Sequence, residues 1–311
     1  MRWWGWLWCW LGWVTLCGAG TAIDHRHVNA ATNLPAQVSA KIDMLRWLFT
    51  HASVGGNMIT GMDALHTQDA AMYPLEIYDV GTAGTEGDSD YRAAADPAVA
   101  ANGFIYNCMR GNPSWDNKVV CFSNSVTISG WRFPKINVSM DKFCWIDPYA
   151  DPAVYCTVMS QLASLSPETL MLYLTMPLTT ETAGSENDYR NEFNRYVRAY
   201  CATNREWLLD VADMEAWTAA GGEQTYMSGS TTNQLLLAAY AVPAGSGDYH
   251  LNSTGCRRVA LGWYALAAAL FATDRDGDGV SDGDELIAGT RPGDRASRFD
   301  LRTATAGPTP N

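Results

Sequence analysis

Short apolar runs alternate with helix-length segments along most of this chain, and this alternation constrains its fold more than any other feature. Two of the intervening segments, residues 152–165 and 187–203, have helical length and composition. Strands that alternate with helices form crossover units, which build a parallel sheet. We therefore predict an α/β domain with a central parallel sheet. Its strand-length runs are residues 47–49, 75–80, 136–146, 170–176 and 207–211.

The end of this domain and the position of its ligand site also follow from the sequence. Residues 257–272 have a continuous helical pattern and are predicted to close the sheet domain. Residues 81–101 and 219–247 are rich in small and polar residues and are predicted to be long loops. Ligands of open parallel sheets bind outside the carboxyl ends of the strands, where such loops gather. We expect a site at that edge.

Residues 1–22 have the three parts of a signal peptide. Arg2 supplies a positive charge, residues 3–16 are almost wholly apolar, and residues 18–22 provide the small side chains of a cleavage site. A membrane anchor is the alternative, but the apolar run is shorter than the roughly 20 residues that a spanning helix needs. We expect a secreted protein, extracellular or periplasmic, with no membrane attachment after cleavage.

Charge and cysteine content narrow the classes of partner. A net charge of −12 disfavours nucleic acids and anionic membranes, which attract clustered Lys and Arg. A neutral or sugar-like substrate is more compatible with this net negative charge. Two of the eight cysteines lie in residues 1–22, so six remain in the mature chain. An even number in an oxidising compartment predicts disulfides, without specifying their pairing.

An acidic loop follows the last predicted helix. Residues 274–285 match the pattern D-x-D-x-D-G-x5-E, in which calcium takes six to eight oxygen ligands. Gly279 permits the sharp turn of such a loop. The pattern predicts a Ca²⁺ site, whereas Mg²⁺ prefers a smaller octahedral site that retains waters. The predicted ligands are the carboxylates of Asp274, Asp276, Asp278 and Glu285, the carbonyl of Val280, and Asp282 acting through water.

The same segment resembles the thrombospondin type 3-like repeats of secreted bacterial proteins. The resemblance covers about twenty residues, from the acidic loop through the Ala-Gly-Thr-Arg-Pro-Gly-Asp that follows it. It implies a structural calcium at the edge of the domain. We accordingly divide the chain into a signal peptide (1–22), a sheet domain (23–273), a calcium-binding repeat (274–294) and a flexible tail (295–311).

Histidine is scarce, so few residues could serve as a catalytic base. His25 and His27 fall in a mature N-terminus that we expect to be disordered, leaving His51, His66 and His250. A serine nucleophile needs a base within hydrogen-bond reach and a third group that orients the base. The segment from Thr50 to Asn57, which contains Ser53, directly follows the first strand-like run. The segment Gly247-Asp248-Tyr249-His250 stands just before the final helix.

These two segments resemble the SGNH (GDSL-like) hydrolases over about residues 45–272. The resemblance implies a flavodoxin-like three-layer α/β/α fold, with Ser53 as nucleophile, His250 as general base and Asp248 as the carboxylate that orients His250. The sequence departs from the family at Asp248, which lies two residues before His250 where the family has three. Asp210 or Asp213 is the alternative acid.

The oxyanion hole is the second departure from the family. The family uses the serine N–H, a glycine after the second strand and an asparagine after the third, and no matching Gly-x-Asn-Asp follows residues 136–146. Gly111 and Asn112 are the candidate substitutes. His51 either shapes the nucleophile turn or serves as a second base, and the structural role is the favoured interpretation.

Together the features predict an exported ester hydrolase that acts on a small ester or an acylated carbohydrate. Two alternatives stay open. One is a catalytically inactive, calcium-stabilised module of the same fold that binds a glycan. The other is a surface or matrix protein whose calcium repeat joins it to further domains.

Overall fold

The computed structural model of the protein describes residues 21–94, 103–129, 136–243 and 248–297. The strands are β1 Ala22–Ile23, β2 Arg46–His51, β3 Glu76–Val80, β4 Thr82–Ala83, β5 Arg92–Ala93, β6 Phe104–Met109, β7 Val138–Asp141, β8 Leu170–Met171, β9 Tyr173–Leu174, β10 Leu208–Leu209, β11 Thr225–Ser228 and β12 Thr231–Gln234. The helices are α1 Ala36–Ile42, α2 Val54–Gln68, α3 Trp115–Thr127, α4 Pro152–Leu165, α5 Asn187–Asn204, α6 Val211–Ala216, α7 Ser253–Leu270 and α8 Asp282–Ala288. A 3₁₀ helix spans Val28–Asn33.

A five-stranded parallel sheet lies at the centre, in the order β3-β6-β2-β7-β8. A second parallel sheet has the order β1-β10-β9. Only Leu172 separates β8 from β9, so one run of chain takes part in both sheets. The predicted α/β architecture with a central parallel sheet is confirmed.

The core divides into two apolar layers, one on each face of the sheet. Side chains of a strand alternate between faces, so Trp47 and Phe49 pack on one side while Leu48, between them, packs on the other. The first layer includes Trp263 of α7, whose ring meets Trp47 and Phe49 edge-on at 5.4 and 5.1 Å. The second layer includes Phe122 of α3. Helices therefore flank the sheet on both faces, which is compatible with a three-layer arrangement.

Helices α2 and α7 touch almost backbone to backbone. A Cβ placed on Gly61 would lie 2.2 Å from the carbonyl oxygen of Cys256, a separation that only glycine permits. This contact matters for the site, because Ser53 immediately precedes α2 and His250 lies shortly before α7. The close packing joins the two helices that carry those residues.

Several local predictions were incomplete. Strand β6 and helix α3 were missed, because β6 contains Asn107 and Cys108 and does not alternate in polarity. The predicted long loops contain short strands, β4 and β5 in the first and the β11–β12 hairpin in the second.

The expectation of a disordered N-terminus at His25 and His27 was wrong. Strand β1 pairs with β10, and the ring of His25 stacks on Trp217 at a centroid distance of 4.0 Å. The imidazole of His25 also donates to Asp213. Two short strands and one ring stack give this segment tertiary contacts that local composition does not reveal.

Residues 1–20 of the predicted signal peptide and residues 298–311 of the predicted tail lie outside the described residues. Ala22 pairs with Leu208 in the sheet, so cleavage after Ala22 would divide β1. In the described ranges, no helix combines the length and apolarity needed to cross a membrane. The six cysteines at positions 108, 121, 144, 156, 201 and 256 are free and buried, so the structure gives no support to the expected disulfides.

Candidate active site

Ser53 occupies a strained turn between β2 and α2. Its φ of 55° and ψ of −116° put a non-glycine residue in a sparsely populated backbone region, which costs on the order of 1–3 kcal/mol. Such strain persists only where the surrounding structure enforces it, and it gathers at functional sites. The turn stands at the carboxyl edge of the central sheet, where ligand sites of this architecture form.

His250 lies against Ser53, with Ser53 Oγ 2.5 Å from His250 Nε2. The other ring nitrogen, Nδ1, donates to a carboxylate oxygen of Asp248, and the His250 backbone N–H donates to the same oxygen over 2.9 Å. These bonds from His250 hold the pKa of Asp248 below its usual value. The structure thus brings the three sequence-predicted residues together in the order hydroxyl, imidazole, carboxylate.

The two alternative acids lie elsewhere. Asp210 accepts from Arg198 and from the hydroxyl of Thr175. Asp213 accepts from His25 and from the amide of Gln234. Among these three aspartates, Asp248 is the one that contacts His250.

The backbone beside His250 is anchored to α2. Asn57, one helical turn beyond Ser53, accepts the N–H of Leu251 over 3.0 Å, and the carbonyl of His250 accepts the N–H of Val242 over 2.9 Å. Asn252 then caps α7 by accepting the N–H groups of Thr254 and Gly255. Sequence reasoning missed Asn57, although its place one turn after the serine was a usable signal.

His51 is fully buried, and within the described residues its ring makes no hydrogen bond to Ser53. Its Nε2 donates to Asn107 Oδ1 over 2.5 Å, and Asn107 in turn donates to Asp79 over 2.7 Å. Burial, as the main cause, lowers the pKa of His51 to about 3. The imidazole is therefore neutral at physiological pH. This arrangement agrees with the structural role and gives the second-base interpretation no support.

His51 also explains why glycine stands at position 55. A Cβ at Gly55 would lie 2.4 Å from the Cβ of His51, whereas one at Gly56 would meet nothing closer than 3.8 Å. The first turn of α2 therefore packs directly on His51. This contact restricts the position of the turn at Ser53.

We expect Gly55→Ala to destabilise the protein by about 1–3 kcal/mol, since overpacking forces backbone shifts. It should also lower activity by displacing Ser53. Gly56→Ala is the matched control and should be neutral or slightly stabilising, because alanine favours helix by about 1 kcal/mol. Urea unfolding measures both changes. Equal stability of the two variants would contradict the role assigned to the His51 contact.

Gly111 follows β6 as Ser53 follows the neighbouring strand β2. His51 pairs with Met109 in the parallel register of the two strands, and Ser53 and Gly111 each come two residues after that pair. Within the described residues, the backbone N–H groups of Ser53 and Gly111 have no hydrogen-bond acceptor. Free backbone N–H groups beside a nucleophile are what a developing oxyanion needs.

Asn112, the other predicted substitute, is exposed and accepts from Lys118 Nζ over 3.2 Å. Lys118 itself is buried and donates to both oxygens of Asp147. The structure therefore ties the side-chain carbonyl of Asn112 to the start of α3. Among the described residues, no hydrogen bond joins Asn112 to Ser53 or His250.

A buried ion pair fixes the strand ends beneath the site. Arg110 Nε and Nη2 donate to the two oxygens of Asp141 over 2.8 and 3.1 Å, and Thr50 Oγ1 donates to the first of them over 2.6 Å. The pair thus joins the carboxyl ends of β6, β2 and β7. Arg110 also donates to the carbonyl of Gly111, which helps to hold that residue in place.

The acidic loop lies at the opposite edge of the sheet. Trp207, just before β10, donates to Asp282 over 2.8 Å, and Asn137, just before β7, donates to the carbonyl of Leu286 over 2.8 Å. Lys41 forms an ion pair with Asp284. These contacts attach the loop and α8 to the amino ends of the strands, far from Ser53.

The carboxylates of Asp274, Asp276 and Asp278 cluster in this loop, with a ligand oxygen of each within 4.8 Å of the others. Asp276 Oδ2 and Glu285 Oε2 are buried and have no hydrogen-bond partner in the described residues. Burial and the nearby Asp276 and Asp278 raise the pKa of Glu285 to about 8. Unpartnered, mutually repelling oxygens fit a divalent cation.

Asp282 and Val280 are the other two predicted ligands of the acidic loop. Asp282 does not join the cluster, because its oxygens accept from Trp207 and from the backbone and side chain of Arg275. The Val280 N–H donates to Asp278 over 2.9 Å, and the role of its carbonyl as a ligand stays a prediction. The donors that the structure gathers within 4.8 Å of one another are therefore Asp274, Asp276 and Asp278, and Glu285 lies close enough for the charges of Asp276 and Asp278 to raise its pKa.

Comparison of the sequence with models of known protein families gives no match, and neither does comparison with curated proteins.

Proposed function

We propose that this protein is an exported serine hydrolase of the SGNH type that cleaves carboxylic esters. The observation that carries the proposal is the constellation of Ser53 Oγ, His250 and Asp248 on a strained turn at the carboxyl edge of a parallel sheet. A surface serine that merely caps a helix needs neither a positive φ nor an imidazole at hydrogen-bond distance. The resemblance noted in the sequence supports the same assignment.

In the proposed mechanism, His250 Nε2 takes the proton of Ser53 as Oγ attacks the ester carbonyl. The N–H groups of Ser53 and Gly111 receive the developing oxyanion. His250 then gives its proton to the leaving alcohol, and an acyl-serine remains. A water molecule, deprotonated by His250, then attacks the acyl carbon; the bond to Oγ breaks, the acid leaves, and His250 returns the proton to Ser53 Oγ.

The substrate class follows from charge and compartment. The acidic chain disfavours polyanionic substrates, and export brings it to small esters and acylated carbohydrates. We propose an acyl ester of one of these two kinds.

We also propose that the acidic loop binds one structural Ca²⁺. Asp274, Asp276, Asp278 and Glu285 would hold the ion, and its charge would relieve their repulsion. The resemblance to thrombospondin type 3-like repeats supports this choice of ion. Because the loop lies at the amino edge of the sheet, the ion takes no part in the hydrolysis.

Labelling by a fluorophosphonate tests the nucleophile. We expect covalent modification at Ser53, mapped by peptide mass spectrometry, together with hydrolysis of short-chain p-nitrophenyl esters by the unlabelled protein. Ser160→Ala, at an exposed serine of α4, is the matched control and should label as the parent does. A folded parent that neither labels nor hydrolyses any ester would instead favour the catalytically inactive binding module.

Asp248→Asn tests the third residue of the triad. Loss of a buried triad aspartate costs roughly 10⁴-fold in turnover, and Asp248 is partly exposed, so we expect a smaller loss of about 10- to 1,000-fold. Asp213→Asn, which removes the rival carboxylate, should leave ester hydrolysis within about twofold. A larger loss for Asp213→Asn than for Asp248→Asn would reverse the assignment of the acid.

A further inference from the structure

Three large apolar side chains are exposed beside the site. Tyr149 is 63% exposed, Tyr189 49% and Ile146 43%. The rings of Tyr149 and Tyr189 lie 5.0 Å apart at an interplanar angle of 56°. We call the two tyrosines the aromatic strip, which the aliphatic side chain of Ile146 extends. Exposed aromatic rings of this kind offer an apolar face with a polar tip, which suits a ligand that is itself amphipathic.

A polar groove of about 300 Å³ continues from Tyr189 between α5 and the β11–β12 hairpin. We call it the hairpin groove. Its walls carry hydroxyl, amide, carboxylate and guanidinium groups on Ser185, Asp188, Glu192, Arg195, Ser228 and Asn233. Charges of both signs occur, so the groove is not built for a phosphate or for a polyanion.

The groove is organised by its own hydrogen bonds. Asp188 accepts from Tyr226 and Ser228 over 2.7 Å each and from Asn233 over 2.9 Å, while Arg195 donates to Asn233 over 2.7 Å. The hairpin is thereby fixed to α5. Preformed polar walls with mixed donors and acceptors recognise a neutral, hydroxyl-rich ligand at little ordering cost.

Contacts connect the strip and the groove to the active site. The ring of Trp145 lies 6.4 Å from that of His250, and the carbonyl of Trp145 accepts from Arg190, the neighbour of Tyr189. Tyr189 in turn lies against Tyr149 and also lines the hairpin groove.

We propose that the aromatic strip and the hairpin groove bind an extended carbohydrate chain, one acylated unit of which is placed at Ser53. The sugar rings stack their C–H faces on Tyr149 and Tyr189, and their hydroxyls bond to the groove. The proposal rests on the hydrolase function proposed above and narrows its substrate from esters in general to acylated oligo- or polysaccharides. The binding step itself does not depend on catalysis.

Binding is tested with Ser53→Ala, so that no substrate is consumed. Native gel electrophoresis through soluble acetylated xylan, acetylated β-glucan or acetylated chitosan should retard this protein in at least one polymer. Adding Tyr149→Ala and Tyr189→Ala should weaken that retardation roughly tenfold or more. Tyr196→Ala is the matched control, as Tyr196 is 44% exposed on α5 but two helical turns from Tyr189. It should behave as its parent does.

In the active protein, the double tyrosine variant should raise KM for the retarding polymer roughly tenfold with little change in kcat, and its melting temperature should match that of the parent. No retardation by any of the polymers, or equal retardation with and without the tyrosines, overturns the proposal. So does a dimer of the parent that the double variant abolishes, since the strip would then be a protein contact.

Failure of the hydrolase function gives a different pattern. Tyrosine-dependent retardation together with no ester hydrolysis would uphold the carbohydrate site and reject the enzyme. Ester hydrolysis without retardation would uphold the enzyme and reject the carbohydrate site.

Discussion

Ser53→Ala is expected to reduce ester hydrolysis by several orders of magnitude while the protein stays folded. Members of a serine triad act as a unit, and loss of the serine or the histidine costs on the order of 10⁶-fold in a known case. His250→Ala should therefore cost about as much as Ser53→Ala, and the double variant little more than either. Initial rates on p-nitrophenyl acetate, with melting curves as the check of folding, measure these effects.

The stability of Ser53→Ala and of a glycine variant gives a second readout. Ser53 has a φ of 55°, which alanine tolerates no better than serine, while Ser53→Gly should relieve the strain. We expect Ser53→Gly to be at least as stable as the parent and equally inactive. Wild-type hydrolysis by purified Ser53→Ala, on every ester that the parent cleaves, would show that another residue is the nucleophile.

The sequence was informative where periodicity and local chemistry agree. Helix α4 begins and ends at the predicted residues, because Asp151 caps it, Pro152 suits its first turn and Ser166-Pro167 ends it. Strand β6 was missed because it is central and buried on both faces, so its residues need not alternate in polarity. The N-terminal segment was misread because its order comes from distant partners such as Trp217 and Asp213.

The candidate site shows the same division. Ser53, His250 and Asp248 are recognisable because each sits beside a strand end or a helix start along the chain. The position of Gly111 relative to Ser53 depends on the register of β2 and β6, and the sequence could not give that register because β6 was not predicted. The pattern D-x-D-x-D-G located the acidic cluster but not the partners of Asp282. One of them, Trp207, is distant in sequence, and the other, Arg275, stands at a position that the pattern leaves unspecified.

The proposed Ca²⁺ site in the acidic loop leads to the second prediction of a large effect. A ligand that binds only the folded state stabilises it by about 2.7 kcal/mol at a hundredfold excess over Kd and about 4.1 kcal/mol at a thousandfold excess. Chelation by EDTA should therefore lower the melting temperature by several degrees. Added Ca²⁺ should restore it, and Mg²⁺ should do so poorly. Ester hydrolysis at room temperature should stay nearly unchanged, because the loop and Ser53 lie at opposite edges of the sheet.

Glu285→Ala distinguishes ion binding from simple repulsion. In chelator, loss of Glu285 removes a buried, unpartnered oxygen and its repulsion by Asp276 and Asp278, so the variant should be no less stable than the parent. In Ca²⁺ the order should reverse, because the parent gains an ion that the variant holds weakly. Asp294→Ala, outside the cluster, should keep the full response to Ca²⁺. If chelator stops turnover without lowering the melting temperature, the ion acts at the active site and the structural assignment of this loop fails.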